Sequence, residues 1–276
     1  MNFSKAKSFL IIMFIAVDIF LLYTLLINSS VNPFSKNDSY EKVVKLLQEK
    51  SVFIETEENL YDSSKIYNIT LLNTASDRDK FLKNVLGEYK NNFENNYVSD
   101  KGTVSFKGDE FTFIPSNKQE FKDLPDSKET AKEVLNRLKK SGISTSSLKW
   151  ISTVEEKKDL FRITYGQYFY DKRLLNSDFN VYITEEGIQR AFGGIYEIHS
   201  LDSENQKLKS KEEILLRFSN IREGTHKITI NKIEEGYYNP KKEYRTFSVI
   251  PSMRITLKTG EIYHFDLSSG QLLENN

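Results

Sequence analysis

The longest hydrophobic run of the chain lies near its start, at residues 8–27. Nearly all of these residues are apolar, and the one charged side chain among them is Asp18. A helix of this length, at about 1.5 Å rise per residue, spans roughly 30 Å, the thickness of the hydrocarbon core of a bilayer. A cleaved signal peptide has a shorter apolar run and ends at a small-residue cleavage site. The pattern therefore predicts a retained membrane-spanning helix, and a cleaved signal is the alternative.

Charges on either side of this run indicate its orientation. Lys5 and Lys7 precede it, and the next basic residue is Lys36. Because positively charged flanks stay in the cytoplasm, residues 1–7 are expected inside and the rest of the chain outside the cell membrane. The polar residues 28–37 contain a proline and are typical of a short juxtamembrane linker.

Asp18 gives the predicted helix a polar position in the middle of the membrane. A carboxylate there costs about 2.5–3.5 kcal/mol on insertion scales, so such residues usually face protein or water instead of lipid. Helical spacing puts four apolar residues on the same face as Asp18. These residues are Phe14, Leu21, Leu22 and Leu25. We expect this face to contact a second membrane-spanning helix; the alternative is a single tolerated Asp, protonated or drawn toward the interface.

Beyond the linker, helical and alternating patterns predict a folded exported domain. Helices are expected at residues 38–49, 76–90, 127–140 and 210–220. Strands are expected at residues 52–55, 66–72, 103–106, 110–114, 148–154, 160–168, 179–184, 226–234, 244–250, 253–258 and 261–266. Short turns join many of these strands, which favours antiparallel pairing. The predicted fold class is α+β, with antiparallel sheets and helices packed on one face of each sheet.

This exported domain is expected to divide into residues 38–124 and residues 125–276. Between residues 125 and 276, the same pattern occurs twice. The tripeptide Ser-Lys-Glu occurs at residues 127–129 and 210–212, each time before a predicted helix that is followed by several strands. A serine at this position caps a helix, and the glutamate complements the positive helix end. The sequence therefore predicts two related units, each made of a helix and a sheet.

Composition limits the partners of the exported domain. The chain has 39 basic and 39 acidic residues, so no basic field is available to hold nucleic acid. Cysteine is absent, which excludes a disulfide and a thiolate site. The 19 Phe and 15 Tyr residues suffice for a large core and argue against a disordered stalk.

Motifs for catalysis or metal binding are missing from the sequence. His199, His226 and His264 are scattered, without the spacing of a zinc site. No nucleophile elbow, Walker loop or dinucleotide fingerprint occurs, and pairs of adjacent glutamates lie where turns are predicted. We therefore expect no enzyme activity, no cofactor, no metal and no nucleic-acid partner.

Tyrosines are concentrated in two stretches, at residues 165–170 and 237–238. The candidate interface residues of the exported domain are Tyr165, Tyr168, Tyr170, Tyr237 and Tyr238. Exposed strands rich in tyrosine are typical of protein interfaces. The alternative is a structural role, in which one side of each strand lies in the core and the other at its rim.

Short motifs distributed along the chain form a recognisable set. The start N-F-S-K-A-K at residues 2–7 runs into a predicted spanning helix that contains D-I-F-L-L-Y at residues 18–23. Further motifs are Y-G at residues 165–166, F-N-V-Y-I-T-E-E-G at 179–187, I-P-S-M-R-I at 250–255 and Y-H-F-D-L-S-S-G at 263–270. Together they resemble the YycI (WalI) family of membrane proteins from Gram-positive bacteria. The resemblance spans most of the chain and is weakest around residues 91–123.

Resemblance to this family implies regulation without catalysis. Members of the family pair with a second single-pass protein, YycH (WalH), and with it contact WalK (YycG), the sensor histidine kinase of a cell-wall two-component system. The resemblance thus implies these two partners, contacts through both the spanning helix and the exported domain, and no catalytic residues. From the residues alone, the alternative is an anchored cell-envelope enzyme or a wall-polymer-binding module.

Overall fold

The computed structural model describes most of the predicted exported domain and little of the region before it. The described residues are 36–55, 65–121, 128–202, 208–221, 227–240 and 245–275, together with positions 13, 14, 17 and 18. Those four positions are helical and exposed, whereas Leu21, Leu22, Leu25 and residues 1–7 lie outside the described residues. Within the described ranges, no helix is long and apolar enough to cross a membrane. The spanning helix at 8–27 therefore stays a prediction.

Four helices lie among the described residues of the predicted exported domain, close to the four predicted positions. They are α1 Lys36–Glu49, α2 Arg78–Leu86, α3 Lys128–Lys140 and α4 Lys211–Ile221. Side chains cap two of their starts, because the Asp77 carboxylate accepts a hydrogen bond from the Lys80 N–H and the Ser210 hydroxyl accepts one from the Glu213 N–H. The predicted serine cap of α4 is thus confirmed.

Sixteen strands accompany these helices in the described residues. They are β1 Val52–Ile54, β2 Asn68–Asn73, β3 Lys90–Phe93, β4 Asn96–Val98, β5 Gly102–Lys107, β6 Glu110–Pro115, β7 Leu148–Lys157, β8 Leu160–Phe169, β9 Lys172–Thr184, β10 Gly187–Gly193, β11 Tyr196–Asp202, β12 Ile228–Tyr238, β13 Thr246–Ser248, β14 Ile250–Leu257, β15 Ile262–Asp266 and β16 Leu272–Asn275. Thirteen of them form one large sheet, and the other three form a small sheet in the order β11-β2-β13. Most pairings are antiparallel, so the predicted α+β class is confirmed.

The large sheet has two halves that meet at β9 and β12. The first half has the antiparallel order β3-β4-β5-β6-β10-β9-β8-β7. The second has the antiparallel order β12-β14-β15-β16, and β1 pairs in parallel with β12. A short parallel pairing joins the halves, with Arg173 opposite Gly236 and Leu174 opposite Tyr237. Glycine is required at position 236 because a Cβ atom there would lie 2.2 Å from the carbonyl oxygen of Arg173. We call this pairing and its surroundings the junction.

Each half of the large sheet has its own core beneath two helices. In the first half, α2 and α3 bury apolar residues such as Leu82 and Val134 against the sheet. In the second half, α1 and α4 do the same with Leu47 and Phe218, which pack near Phe265 of β15. Both helix pairs present apolar residues at helical spacing, the pattern from which the helices were predicted.

A third apolar cluster belongs to the small sheet and to the junction. Its buried members are Ile69, Leu71, Phe169, Leu174, Tyr196, Tyr237, Phe247 and Val249. All except Val249, which follows β13, come from the three strands of the small sheet and from β8, β9 and β12 of the large one. The small sheet therefore packs on the junction and ties the two halves together.

Several elements differ from the sequence-based expectations. Helix α2 ends at Leu86 instead of residue 90, because Gly87 takes a positive φ of 73° and its N–H bonds the Lys83 carbonyl. Strands β3, β4, β10, β11 and β16 were not predicted, and β9 begins seven residues before the expected 179. The strand predicted at 244–250 is instead the short β13 followed by the start of β14.

Candidate interaction surface

Two of the five predicted interface tyrosines lie in the core. The side chains of Tyr165 and Tyr237 are both 0% exposed, so their prediction as exposed interface residues is wrong. In Tyr165, the hydroxyl donates a hydrogen bond to the Ala131 carbonyl of α3 at 2.7 Å. Burial raises the pKa of this phenol far above its ordinary value. Tyr165 thus holds α3 on the sheet of the first half.

Tyr237 has a comparable structural role at the junction. Its hydroxyl accepts a hydrogen bond from the Tyr67 N–H at 3.1 Å, and its ring packs in the third apolar cluster. Burial raises the pKa of the Tyr237 phenol as well. Tyr165 and Tyr237 therefore have the structural role that the sequence analysis gave as the alternative, because they lie on the side of their strands that faces the core.

Tyr168 and Tyr170 lie at the surface, where β8 turns into β9. Phe169 pairs with Lys172, so Tyr170 and Asp171 form a two-residue hairpin loop in which both residues have positive φ values, 49° and 62°. Tyr170 is 46% exposed and Tyr168 is half-buried. A positive φ is unusual for a residue as bulky as tyrosine, and such strain is common at functional sites.

Tyr238 is half-buried and faces a different environment from the β8–β9 turn. Its hydroxyl donates to a carboxylate oxygen of Glu274 at 2.9 Å, and its ring lies 5.2 Å from that of His264. Burial, followed by the neighbouring Glu274 carboxylate, raises the pKa of Tyr238 to about 12. Tyr238 therefore belongs to the polar side of the second half of the sheet.

A shallow groove of about 270 Å³ borders the two surface tyrosines. It is lined by Ser146, Ser147, Tyr168, Phe169, Tyr170, Tyr196, Glu197 and Ile198. Beside it, the Tyr67 and Tyr170 rings pack with their centroids 4.8 Å apart. Tyr67, Ile198 and Leu201 are 38%, 42% and 49% exposed. We call Tyr67, Tyr168, Tyr170, Ile198 and Leu201 the edge surface.

The aliphatic side chains of β11 are exposed although their partners on β2 are buried. Ile198 is opposite Leu71 and Leu201 is opposite Ile69, both of which are at most 1% exposed. Residues paired in this way point to the same face of a sheet. The inner face of the small sheet is therefore buried at β2 but exposed to solvent at β11, where Ile198 and Leu201 lie.

Sequence reasoning missed Ile198 and Leu201 for a specific reason. The register shifts between Ile198 and Ser200, which leaves His199 as an extra residue. This bulge puts Tyr196, Ile198 and Leu201 on one face although their spacing is two and then three residues. The bulge therefore interrupts the alternation of apolar and polar residues by which strands are recognised in a sequence.

Glu234 is the centre of an ionic network that crosses the junction. Its carboxylate lies 3.0 Å from Nε of Arg254 and 3.6 Å from Arg173, which also contacts Asp178 at 2.6 Å. Burial alone would raise the pKa of the Glu234 carboxyl, but the charges and hydrogen bonds of Arg254 and Lys232 lower it below its ordinary value. Arg173 is buried and the other members are partly buried, so pairing of their charges stabilises the fold.

His264 lies beside this network on β15, opposite Arg254 of β14 and Glu274 of β16. Its side chain is 3% exposed, and its Nδ1 atom has no hydrogen-bond partner among the described atoms. Burial, with a smaller contribution from the charge of Arg254, lowers the pKa of His264 to about 4. The imidazole is therefore neutral at physiological pH.

The histidines do not converge on a metal site in the described region of the chain. His199 lies exposed on β11, far in sequence from His264, and His226 lies outside the described residues. No group of three or more His, Cys, Asp or Glu side chains suited to hold a metal ion occurs among the residues that the structure describes.

Comparison with known proteins gives a fold relative but no family. No family model matches this chain. No curated protein matches it either. A crystal structure of an uncharacterized protein from Eubacterium rectale ATCC 33656 is similar, with a TM-score of 0.54 and 13% sequence identity. The similarity covers 85% of this chain and 98% of that chain, and at this identity it shows a common fold alone.

Proposed function

We propose that this chain is a non-catalytic regulatory protein, anchored in the cell membrane with its N-terminus in the cytoplasm and its main domain outside. In this proposal it binds a YycH-like single-pass protein and, with it, modulates the WalK (YycG) sensor histidine kinase. The sequence motifs that resemble the YycI family support the choice of partners. The observation that carries the proposal is the edge surface, an uncovered patch of tyrosine and aliphatic side chains beside a strand edge.

The edge surface has the features of a protein-binding site. Contiguous exposed apolar side chains on a soluble domain commonly mark protein contacts. Tyrosine is enriched at such contacts because it offers a large apolar ring and a polar hydroxyl. The strained backbone of Tyr170 fits this function, since a residue selected for stability alone would be asparagine or glycine at that position.

Regulation of the kinase requires only a modest energy difference. A binding preference of about 1–3 kcal/mol for one kinase state changes the ratio of the states roughly 5- to 150-fold. The exported contact and the Asp18 face of the predicted helix can both contribute to this preference. Each contact regulates only if it differs between the two kinase states.

Co-purification from membranes tests the proposed partners. The tagged full-length protein is solubilised in mild detergent, together with the YycH-like protein and WalK, and bound proteins are quantified by mass spectrometry. An unrelated single-pass protein serves as the control. We expect both partners to be enriched, and Asp18→Leu to reduce kinase recovery while the matched change Thr24→Leu on another helix face does not. Recovery of wall polymer without either protein would support the envelope-binding alternative.

A further inference from the structure

We propose that the outer edge of β11 binds an extended segment of the partner's exported domain, which adds a fourth strand to the small sheet. This inference rests on the proposed function, because it specifies how the edge surface recognises the partner. The occupant is a strand with alternating apolar and basic side chains. Three separate properties of β11 support this occupant: its backbone edge, its exposed apolar side chains and its charge.

The first property is the backbone edge. In the small sheet β11 pairs with β2 on one side, and no described strand pairs with its other side. Among the residues that the structure describes, the Ser147 hydroxyl donates to the Tyr196 carbonyl at the start of this edge, and the Ser144 hydroxyl donates to the Glu197 carboxylate. From Ile198 onward, outward-facing N–H and C=O groups can pair with an added strand.

The outer edge of β11 differs from the other outer strands of the sheets in its length and its charge. The outer strands β3 and β16 have four residues each, and β13 has three. The longer outer strand β7 carries Lys149, Glu155, Glu156 and Lys157. Short length and charge are the usual protection of an edge against pairing. The seven residues of β11 contain no lysine, arginine or proline, although they include two acidic residues and the bulge at His199.

The second property is the row of uncovered apolar side chains. Ile198 and Leu201 lie on the inner face of the small sheet and continue the buried row formed by Leu71 and Ile69. A strand placed beside β11 would cover both side chains with its own inward-facing residues. The groove between Ile198 and Tyr170 would receive one apolar side chain of that strand.

The third property is the charge along the edge. Glu197 and Asp202 make the sequence of β11 acidic, and Asp171 of the adjacent hairpin loop is paired with Lys149 at 3.0 Å. Like charges opposite each other on neighbouring strands are unfavourable, and opposite charges are favourable. The added strand is therefore expected to carry lysine or arginine beside Glu197.

Hydrogen exchange on the purified full-length complex with the YycH-like protein tests this inference directly. Pairing would protect backbone amides, so exchange within residues 197–202 should slow at least tenfold on complex formation. A complex that forms without this protection overturns the added strand and leaves the proposed function intact. Failure of the wild-type proteins to form any complex overturns both, so the two failures are distinguishable.

Side-chain variants provide a second measurement. Ile198→Asp and Leu201→Asp place a charge on the uncovered row and should each weaken partner binding at least tenfold. Val154→Asp is the matched control, because Val154 is a similarly exposed strand residue, at 44%, in a different region of the sheet. Each variant must unfold at the wild-type temperature for its result to count, and unchanged binding by folded Ile198→Asp and Leu201→Asp would contradict the inference.

Discussion

The rings of Tyr67 and Tyr170 pack 4.8 Å apart at an interplanar angle of 49°, although neither residue is in a core. Tyr67 immediately precedes β2 of the small sheet, and Tyr170 lies in the hairpin loop between β8 and β9 of the large sheet. The pair therefore connects the two sheets at the surface. Because the Tyr67 N–H also bonds the buried Tyr237 hydroxyl, the exposed pair is fixed to the junction beneath it.

Replacement of Tyr170 should separate function from stability. Tyr170→Asn removes the exposed ring but suits the positive φ of the hairpin loop. Relief of backbone strain offsets the lost ring contact, so the free energy of unfolding should change by less than about 1 kcal/mol. Partner affinity should fall several-fold when it is measured by titration of the full-length proteins. If the free energy of unfolding falls by as much as the free energy of partner binding, Tyr170 has a structural role alone.

Loss of the buried Tyr165 hydroxyl should lower stability without changing partner affinity, the opposite of the result expected for Tyr170. Tyr165→Phe removes the hydrogen bond to the Ala131 carbonyl. Loss of one buried hydrogen bond should lower the free energy of unfolding by about 1 kcal/mol. Partner affinity should stay at the wild-type value because Tyr165 is inaccessible. Denaturant titration and the same binding assay check both expectations, and a loss of affinity in the folded variant would contradict the burial argument.

The junction network should be far more sensitive to substitution than an exposed ion pair. Glu234→Gln leaves Arg254 and Arg173 without their shared carboxylate. Removal of one partner from a buried charge network should lower the free energy of unfolding by about 3 kcal/mol.

A matched substitution on α4 controls for the loss of a carboxylate. Glu213 also contacts two cations, Lys209 and Arg217, but at the solvent-exposed surface. Glu213→Gln should change the unfolding temperature much less than Glu234→Gln. Equal effects of the two changes in thermal unfolding would argue against a special role of the junction.

Burial of neutral His264 predicts a specific dependence of stability on pH. Its pKa is lowered from 6.5 to about 4 in the folded state. Between these values the unfolded chain binds a proton that the folded chain does not, so stability is fully present above about pH 6.5 and falls as pH decreases toward 4. The loss from this one group is up to about 3 kcal/mol.

Two histidine substitutions test this pH dependence. His264→Gln should flatten the curve of unfolding free energy between pH 7 and pH 5, a range above the region where the depressed pKa of Glu234 acts. His199→Gln, on exposed β11, should leave the curve unchanged. If the wild-type curve is flat in this range, His264 is not buried in its neutral form.

Local patterns predicted the elements of the fold that depend on periodicity and turn chemistry. The amphipathic spacing of Leu82 and Leu86 and the serine cap at Ser210 are readable from sequence, and the structure contains both. The parallel pairing of Arg173 with Gly236 is different, because it joins strands that are far apart along the chain. No local pattern marks such a pairing.

The candidate surface was only partly predictable for the same reason. The tyrosine-rich stretch pointed to Tyr168 and Tyr170, but the choice between core and surface depended on which face of β8 each residue occupies. Buried Tyr165 and Phe169 alternate with Tyr168 and Tyr170 at the surface, and no local pattern marks which of these two faces lies against the core. Ile198 and Leu201 were missed because the bulge at His199 breaks the alternation that identifies a strand.

Reconstitution of the kinase tests the regulatory function most directly. WalK is placed in lipid nanodiscs with the YycH-like protein, with or without the full-length chain, and autophosphorylation is measured. We expect addition of the wild-type chain to change the kinase rate about 5- to 150-fold. The Tyr170→Asn and Leu201→Asp variants should lose most of this effect, and Val154→Asp should retain it. An unchanged kinase rate with the wild-type chain bound, or with no complex formed, would contradict the proposed function.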